Sequence, residues 1–256
     1  MTIASPARVW NYICGGKDHF ASDRDTAEKV LAAYPSMPRI AQATRRFLAD
    51  AVSLLAGPLG VRQFLDIGTG LPLADNTHEV AQRIAPESRT VYVDYDPSVL
   101  RHAQALLTSA PEGATDYIQA DLRDPETILR EAARTLDFSQ PVAILLIAVL
   151  HFIPDAEGPR EIVKRLTDAV APGSYLAVQH APSDLRDGEM SELSREYNSA
   201  ASATISARTR DQVAGFFDGL EMVSPGLVNL PQWWPGEELG RDVASYVGIG
   251  RKPASR

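Results

Sequence analysis

At 256 residues, with 45% hydrophobic and 23% charged side chains, the chain has the make-up of a globular protein and ample apolar material for a core. Its formal net charge of −8 argues against a broad basic surface for nucleic acid or an anionic membrane, and its single cysteine, Cys14, excludes an internal disulfide and a cysteine metal cluster. No basic segment leads into a long apolar run at the N-terminus and no stretch reaches the roughly 18 apolar residues that span a bilayer, so the expectation is a cytoplasmic protein.

Taken in order, the chain opens on Pro6 to Phe20, where Gly15-Gly16-Lys17 invites a phosphate-loop reading. Asn11 stands where the first glycine of that motif would fall and Asp18 follows Lys17 in place of Ser or Thr, so the reading is rejected. Asp23 is placed to cap a helix through Ala27, Val30 and Leu31. Pro35 or Pro38 starts another, in which Ile40, Ala43, Phe47, Ala51, Leu54 and Leu55 recur at three- and four-residue steps until Gly57-Pro58 stops it. Residues 1–60 therefore read as an N-terminal helical cap and residues 61–256 as an α/β core, the two forming one compact unit.

From Arg62 the pattern alternates. Strands are expected at 62–67, 90–94, 116–120, 142–148 and 174–180, with helices at 74–84, 97–109, 125–135 and 156–170 between them. Short apolar strands separated by helices imply right-handed crossovers and a parallel sheet covered on both faces, with ligands at the carboxyl ends of the strands. A helix at 209–217 and two late strands near 221–228 and 245–250 add an antiparallel edge. The fold class is α/β: a seven-stranded, mostly parallel sheet with an antiparallel C-terminal hairpin, plus the helical cap.

The chemistry concentrates at strand ends. Phe64 to Ile67 run into Gly68-Thr69-Gly70, a tight turn in which glycines let backbone approach a ligand before a helix begins. The dinucleotide fingerprint would place a third glycine where Leu73 stands and an apolar residue where Asp66 stands. Asp94 closes the second strand 24 positions beyond Gly70, where a carboxylate can accept from both hydroxyls of a ribose. Asp96 is its rival, with a helix cap as the alternative role. Asp121 ends the third strand. His151 and His180 follow the fourth and fifth strands, and either imidazole is a candidate base or a structural hydrogen-bonder. His19 lies in the cap segment, while His78 and His102 fall on expected helices and read as surface residues. No histidine pair has metal-helix spacing, and no metal is expected.

The ordered set of motifs resembles class I S-adenosylmethionine (SAM)-dependent methyltransferases. Asp66-Ile67-Gly68-Thr69-Gly70 is similar to their first motif, Asp94-Tyr95-Asp96-Pro97 to their Asp-x-x-Pro pattern, and Ile147 to Pro154 to their fourth motif in its apolar-His variant. With Asn11-Tyr12, Gly15-Gly16-Lys17-Asp18, Ala74 to Glu79, Ala171-Pro172-Gly173, Phe216 to Leu220 and Gly248 to Lys252, the likeness extends over nearly the whole chain to a bacterial methyltransferase family long grouped as a domain of unknown function. Cys14 and Tyr95 depart from its usual pattern. The resemblance implies a Rossmann-like fold, SAM as cofactor, and methyl transfer to an O, N or C atom of a small-molecule acceptor. A SAM-binding module without methyl transfer is the alternative, and a nicotinamide oxidoreductase a third reading. It also implies roles: Asp94 on the ribose, Asp121 and the Leu122 N–H on the adenine, Gly68, Gly70 and Asp66 around the methionine portion, and Ile147 and Ala148 backbone near the cofactor. Trp10, Tyr12 and Phe20 would line the site from the cap or simply pack it, and Lys17, Asp18, Asp23 and Arg24 would orient the methionine carboxylate or the acceptor, with a surface helix start as their other reading. Trp233 and Trp234 would wall the acceptor or anchor a loop. The expected partner is a small molecule, with a homodimer left open.

Overall fold

The computed structural model describes residues 4–106, 108–185, 198, 204–237, 239–240 and 242–254. Three helices come first: α1 (Pro6–Ile13), α2 (Ala21–Ala33) and α3 (Met37–Ala56). Then follow β1 (Gln63–Ile67), α4 (Thr77–Ile84), β2 (Arg89–Asp94), α5 (Pro97–Leu106), β3 (Ala114–Gln119), α6 (Pro125–Ala132), β4 (Ala143–Ile147), α7 (Pro159–Asp168) and β5 (Tyr175–His180). The chain closes with α8 (Arg210–Ala214), β6 (Glu221–Met222), β7 (Val228–Asn229) and β8 (Tyr246–Arg251).

The strands form one sheet in the order β3-β2-β1-β4-β5-β8-β6, with β7 also paired to β8. β1 to β5 pair in parallel and β8 runs antiparallel to β5, β6 and β7. This is a Rossmann-like sheet. Successive residues of a strand point to opposite faces, and the two faces bury different sets. Phe64, Ala143, Leu145, Ala177 and Val247 join the core under α1 to α4, while Leu65, Ile67, Ile144, Leu146 and Val178 pack with Ile128 of α6 and Leu166 of α7. Residues of the helical cap thus share one continuous apolar core with the sheet. The chain leaves β1 toward β2 and β3 on one side and returns to β4 and β5 on the other, so a crevice opens at the carboxyl ends of β1 and β4.

Several expectations need correction. The segment 6–13, for which the sequence pattern predicts no element, is a helix; Pro6 occupies its first turn, and Val9 and Ile13, one turn apart, face the core. Asp23 does not cap α2 from its N-terminus. Phe20 is the N-cap, and the Asp23 carboxylate reaches back from the third helical position to accept from the Phe20 N–H at 2.8 Å. The expected strand near 221–228 splits into β6 and β7, because Pro225 has no N–H for a ladder and Gly226 turns the chain at φ 92°. The helix expected at 74–84 begins only at Thr77, after an Asn76/Glu79 capping box. Residue 107, inside the helix expected at 97–109, lies outside the described residues. His78 is buried rather than on the surface, its N–H donating to Tyr92 Oη at 2.8 Å across the α4–β2 packing.

Candidate functional site

The turn after β1 builds the first wall of the site. Gly68 and Gly70 adopt φ of 75° and 65°, a region that side chains bearing Cβ avoid. The Gly68 N–H donates to Val93 O at 2.8 Å, tying the turn to β2, and a Cβ at Gly68 would overlap Val149. At Gly70 the space where a Cβ would stand is empty, so backbone is exposed to whatever fills the crevice. Across the crevice, Ala148 follows β4 at φ 58°, a conformation costing a non-glycine residue about 1 to 2 kcal/mol. Its N–H donates to Gln179 O of β5 at 3.2 Å, which holds the strained residue in place.

Asp94 closes β2 with 6% of its surface exposed. Its carboxylate accepts from the N–H groups of Gly70 and Asp96, both at 2.9 Å. Burial pushes its pKa above the usual carboxylate value, and those N–H groups offset part of that push. Ionised, a carboxylate offers about four acceptor positions, so capacity remains for a ligand hydroxyl. Asp96 is engaged differently. Asp96 Oδ1 accepts from the N–H and the hydroxyl of Ser98 in the first turn of α5, as a cap does, and Asp96 Oδ2 accepts from Ser5 Oγ at 2.7 Å. Arg8 of α1 bridges Asp96 and fully buried Asp23, at 3.5 and 2.8 Å, so the loop bearing Asp94 is fastened to the helical cap.

Asp66, at the end of β1, accepts from Thr77 Oγ1 at 2.6 Å, and burial raises its pKa to about 6. Asp121 follows β3 half-exposed, accepting from Arg123 N at 2.9 Å, while Arg123 Nε pairs with Glu157 at 2.5 Å. Asp66, Gly68, Gly70, Asp94, Asp121, Arg123, Ala148 and Glu157 line one cavity of about 450 Å³ at the carboxyl ends of β1 to β5, with residues of α1 and α3 on its other wall. Sites for small molecules fall at about 300 to 1,000 Å³. The cavity brings together Asp66, Gly68, Gly70, Asp94, Asp121, Leu122, Ile147, Ala148 and His151, nine of the expected site residues, and adds Trp10 from the cap.

Tyr12, Lys17 and His180 are not among the lining residues. Tyr12 packs edge-on against His19 with its hydroxyl 3.4 Å from Glu28, and Lys17 is exposed. The segment around them serves its own local structure, since buried Asn11 accepts from the Asp18 N–H at 3.0 Å and its side chain fills the space a Cβ on Gly16 would need. Phe20 is exposed under the Arg8 guanidinium. Trp233 packs edge-on against Phe47 and Trp234 Nε1 donates to Asp50 at 2.6 Å, anchoring the late loop to α3.

The two histidines that follow β4 and end β5 are both buried. His180 Nδ1 lies 2.8 Å from Ala181 O and Nε2 2.9 Å from Arg208 Nη1, so Nδ1 donates, Nε2 accepts, and neither is left for a proton from a substrate. Burial, with His151 and Arg208 adjacent, holds its pKa far below the ordinary value. Buried Arg208 also donates to Leu150 O, Ile153 O and Asp155, fixing the loop that carries His151. His151 itself lines the cavity, and burial, assisted by the charge of Arg208, lowers its pKa to about 3. For His151 and His180, burial opposes the protonated form. The sequence reading missed Arg208, Thr44 and Gln179; each acquires its surroundings only through distant segments, and none sits in a motif.

Parallel strands, a glycine turn with open backbone, and acids at the ends of neighbouring strands over one cavity define a Rossmann-like protein that binds a nucleoside-bearing cofactor. A family model described as S-adenosyl methyltransferase matches residues 1–253, and the chain belongs to that family, whose cofactor is SAM. A DUF574-family protein from Streptomyces avermitilis MA-4680 is 41% identical with a TM-score of 0.94, covering 98% of each chain. A candidate methyltransferase from Thermobifida fusca YX is 38% identical with a TM-score of 0.90, over 98% of this chain and 96% of that one. The N-methyltransferase NodS from Bradyrhizobium japonicum WM9, 15% identical with a TM-score of 0.50 over 84% of this chain and 97% of its own, shares the fold alone. A search of curated proteins finds no match. Among the described residues, no group of three or more His, Cys, Asp or Glu is placed to hold a metal ion, and no helix is long and apolar enough to cross a membrane.

Proposed function

We propose that the chain transfers the methyl group of SAM to an O, N or C atom of a small molecule in the cytoplasm, with the cavity at the carboxyl ends of β1 to β5 as the active site. The observation that carries the reading is Asp94, on the cavity wall at 6% exposure, its carboxylate on the Gly70 N–H where the glycine turn is open. In this reading Asp94 takes the ribose hydroxyls, and Asp121 with the Leu122 N–H takes the adenine edge. Gly68 and Gly70 give backbone room for the methionine portion, Asp66 faces its amino group, and the Ile147 and Ala148 backbone borders the reacting end.

Bound SAM would supply an electrophilic methyl on a sulfonium: an acceptor lone pair would bond the methyl carbon in line as the carbon–sulfur bond breaks, with S-adenosylhomocysteine as the leaving group and any acceptor proton lost to solvent. The chain's part is alignment and exclusion of water, effects that contribute about 7 to 11 kcal/mol in favourable cases. Trp10 presents an aromatic ring to the cavity, and such rings attract a cation by about 0.5 to 2 kcal/mol. The helices α1 and α3 shield the cavity from solvent, and the Ser5 and Arg8 contacts to Asp96 hold that cover against the ribose loop. His151 lies where it can touch an acceptor, as a neutral hydrogen-bonding group.

Calorimetric titration of an Asp94→Ala variant tests the assignment. SAM affinity is expected to fall at least tenfold, equivalent to about 1.4 kcal/mol; an unchanged affinity would place the ribose anchor elsewhere. A second reading, SAM binding without methyl transfer, draws on the absence of a near-neutral imidazole from the cavity wall among the described residues. Formation of S-adenosylhomocysteine from SAM with candidate acceptors separates the two.

A further inference from the structure

The methionine portion of SAM ends in an ammonium and a carboxylate. Asp66 suits the first and repels the second. Taking a carboxylate out of water is costly unless a cation or several donors meet it. Among the described residues, the charged side chains that line the cavity are Asp66, Asp94, Asp121, Glu157, Arg45 and Arg123. Four acids against two arginines make the wall net acidic, so the carboxylate needs one particular cation. Of the residues that the sequence offered for it, Lys17, Asp18, Asp23 and Arg24, none lines the cavity.

Arg123 is already engaged. Its Nε pairs with Glu157 at 2.5 Å and its Nη1 with Asp121 at 3.2 Å, and Nη2 donates to Phe152 O at 3.2 Å. Arg45 of α3 is bound at one end only: its Nη2 donates to Ala74 O at 2.7 Å and to Asp75 O at 3.2 Å, just ahead of α4. A guanidinium carries five N–H donors in a rigid plane, so the two carbonyls set its orientation and leave the donors on Nε and Nη1. Among the described residues, no acceptor meets those two atoms and no carboxylate pairs with Arg45. At Asp66, burial raises the carboxyl pKa while the Thr77 hydrogen bond and the Arg45 charge oppose it, so the guanidinium and that carboxyl stand close enough to interact. Opposite charges on Asp66 and Arg45 complement the paired ammonium and carboxylate of an α-amino acid. Both attach to the β1–α4 connection: Asp66 precedes the glycine turn and the carbonyls that hold Arg45 follow it. The cavity wall from β4 and β5 holds no Lys or Arg among the described residues, so the cation lies on the cofactor's side.

We propose that Arg45 anchors the carboxylate of the bound cofactor, so that Arg45 and Asp66 together recognise its α-amino acid end and Arg45 selects against adenosyl compounds that lack a carboxylate. The inference rests on the methyltransferase reading and adds a binding residue to its cofactor site. With the ribose on Asp94 and the carboxylate on Arg45, the sulfonium between them is held at a fixed place in the cavity. Charge-assisted N–H bonds to a carboxylate are roughly twice as strong as neutral ones, which suits an end that must not slide.

Titration calorimetry on the full chain tests it with three probes: S-adenosylhomocysteine, its decarboxylated analogue S-adenosyl-3-thiopropylamine, and 5′-methylthioadenosine. The parent chain is expected to bind S-adenosylhomocysteine at least tenfold tighter than the decarboxylated analogue. Arg45→Met is expected to weaken S-adenosylhomocysteine at least tenfold while neither of the other probes weakens by more than threefold, and Arg45→Lys to keep part of the preference. A parent chain without the preference overturns the proposal whatever the variants do. Equal loss of all three probes in Arg45→Met overturns it as well, marking a structural role through Ala74 and Asp75. So does an unchanged S-adenosylhomocysteine affinity, which would leave the guanidinium to an anionic acceptor. Failure of the parent chain to bind any of the three is a different result, which overturns the methyltransferase reading.

Discussion

Asp66 is the residue at which the fold and the site pull against each other. It is 5% exposed, and burial pushes its carboxyl up to about 6 against the hydrogen bond from Thr77 and the charge of Arg45. An unfolded aspartate titrates near 3.9, so the folded chain holds this proton more firmly. The associated stability is fully present below about pH 4 and is lost as pH rises through about 6, by on the order of 3 kcal/mol at 1.36 kcal/mol per pH unit. Asp66→Asn removes that loss. In urea denaturation without ligand, the variant is expected to gain on the parent chain between pH 4 and pH 8; parallel stability profiles would contradict the assignment. At this scale the sequence was informative where chemistry follows position along a strand. Asp94 and Asp96 close and follow β2 as expected, and Asp96 makes the helix-cap contacts to Ser98 that the sequence offered as its alternative role. It was silent on Thr44 and Gln179, ordinary residues of a helix and a strand that meet only on the wall of the folded cavity. It left His151 open between a base and a structural hydrogen-bonder, since a pKa depends on burial that no local pattern encodes.

Among elements, the long stripe of α3 was legible because twenty residues repeat their apolar positions at helical spacing, and Phe47, Ala51 and Leu55 are all fully buried. Helix α1 was not, because eight residues give two turns and only Val9 and Ile13 mark its inner face. The loop after β4 was legible as a motif but not as a structure, since its shape depends on Arg208, 58 positions beyond Leu150. Arg208→Met leaves Ile153 O and His180 Nε2 without their donor and Leu150 O with only the Ile153 N–H, and each unmade bond costs about 1 to 3 kcal/mol. Asp155 is two-thirds exposed and returns to water. The variant is expected to lose on the order of 3 kcal/mol in chemical denaturation. A loss below about 0.5 kcal/mol, the range of ordinary surface substitutions, would show that the loop holds its shape without this anchor.

At the scale of the molecule, the sheet order places β1 between β2 and β4, and that reversal creates the crevice. Alternation of strands and helices made the parallel sheet and its ligand edge readable from the sequence, while the C-terminal edge was coarser. One expected late strand became two short ones around Pro225 and Gly226, because a residue without an N–H breaks a ladder. The covering helices share a core with the sheet and are fastened to the loop of Asp94 through Ser5, Arg8 and Asp96, so cover and cofactor loop form one packed body. The most direct measurement is a crystal structure of the chain with S-adenosylhomocysteine. Both ribose hydroxyls are expected within about 3 Å of the Asp94 carboxylate, the adenine between Asp121 and Leu122, and the methionine portion over Gly68 and Gly70. A ligand bound away from Asp94, or with its adenine turned toward Thr44 and Gln179, would contradict this assignment.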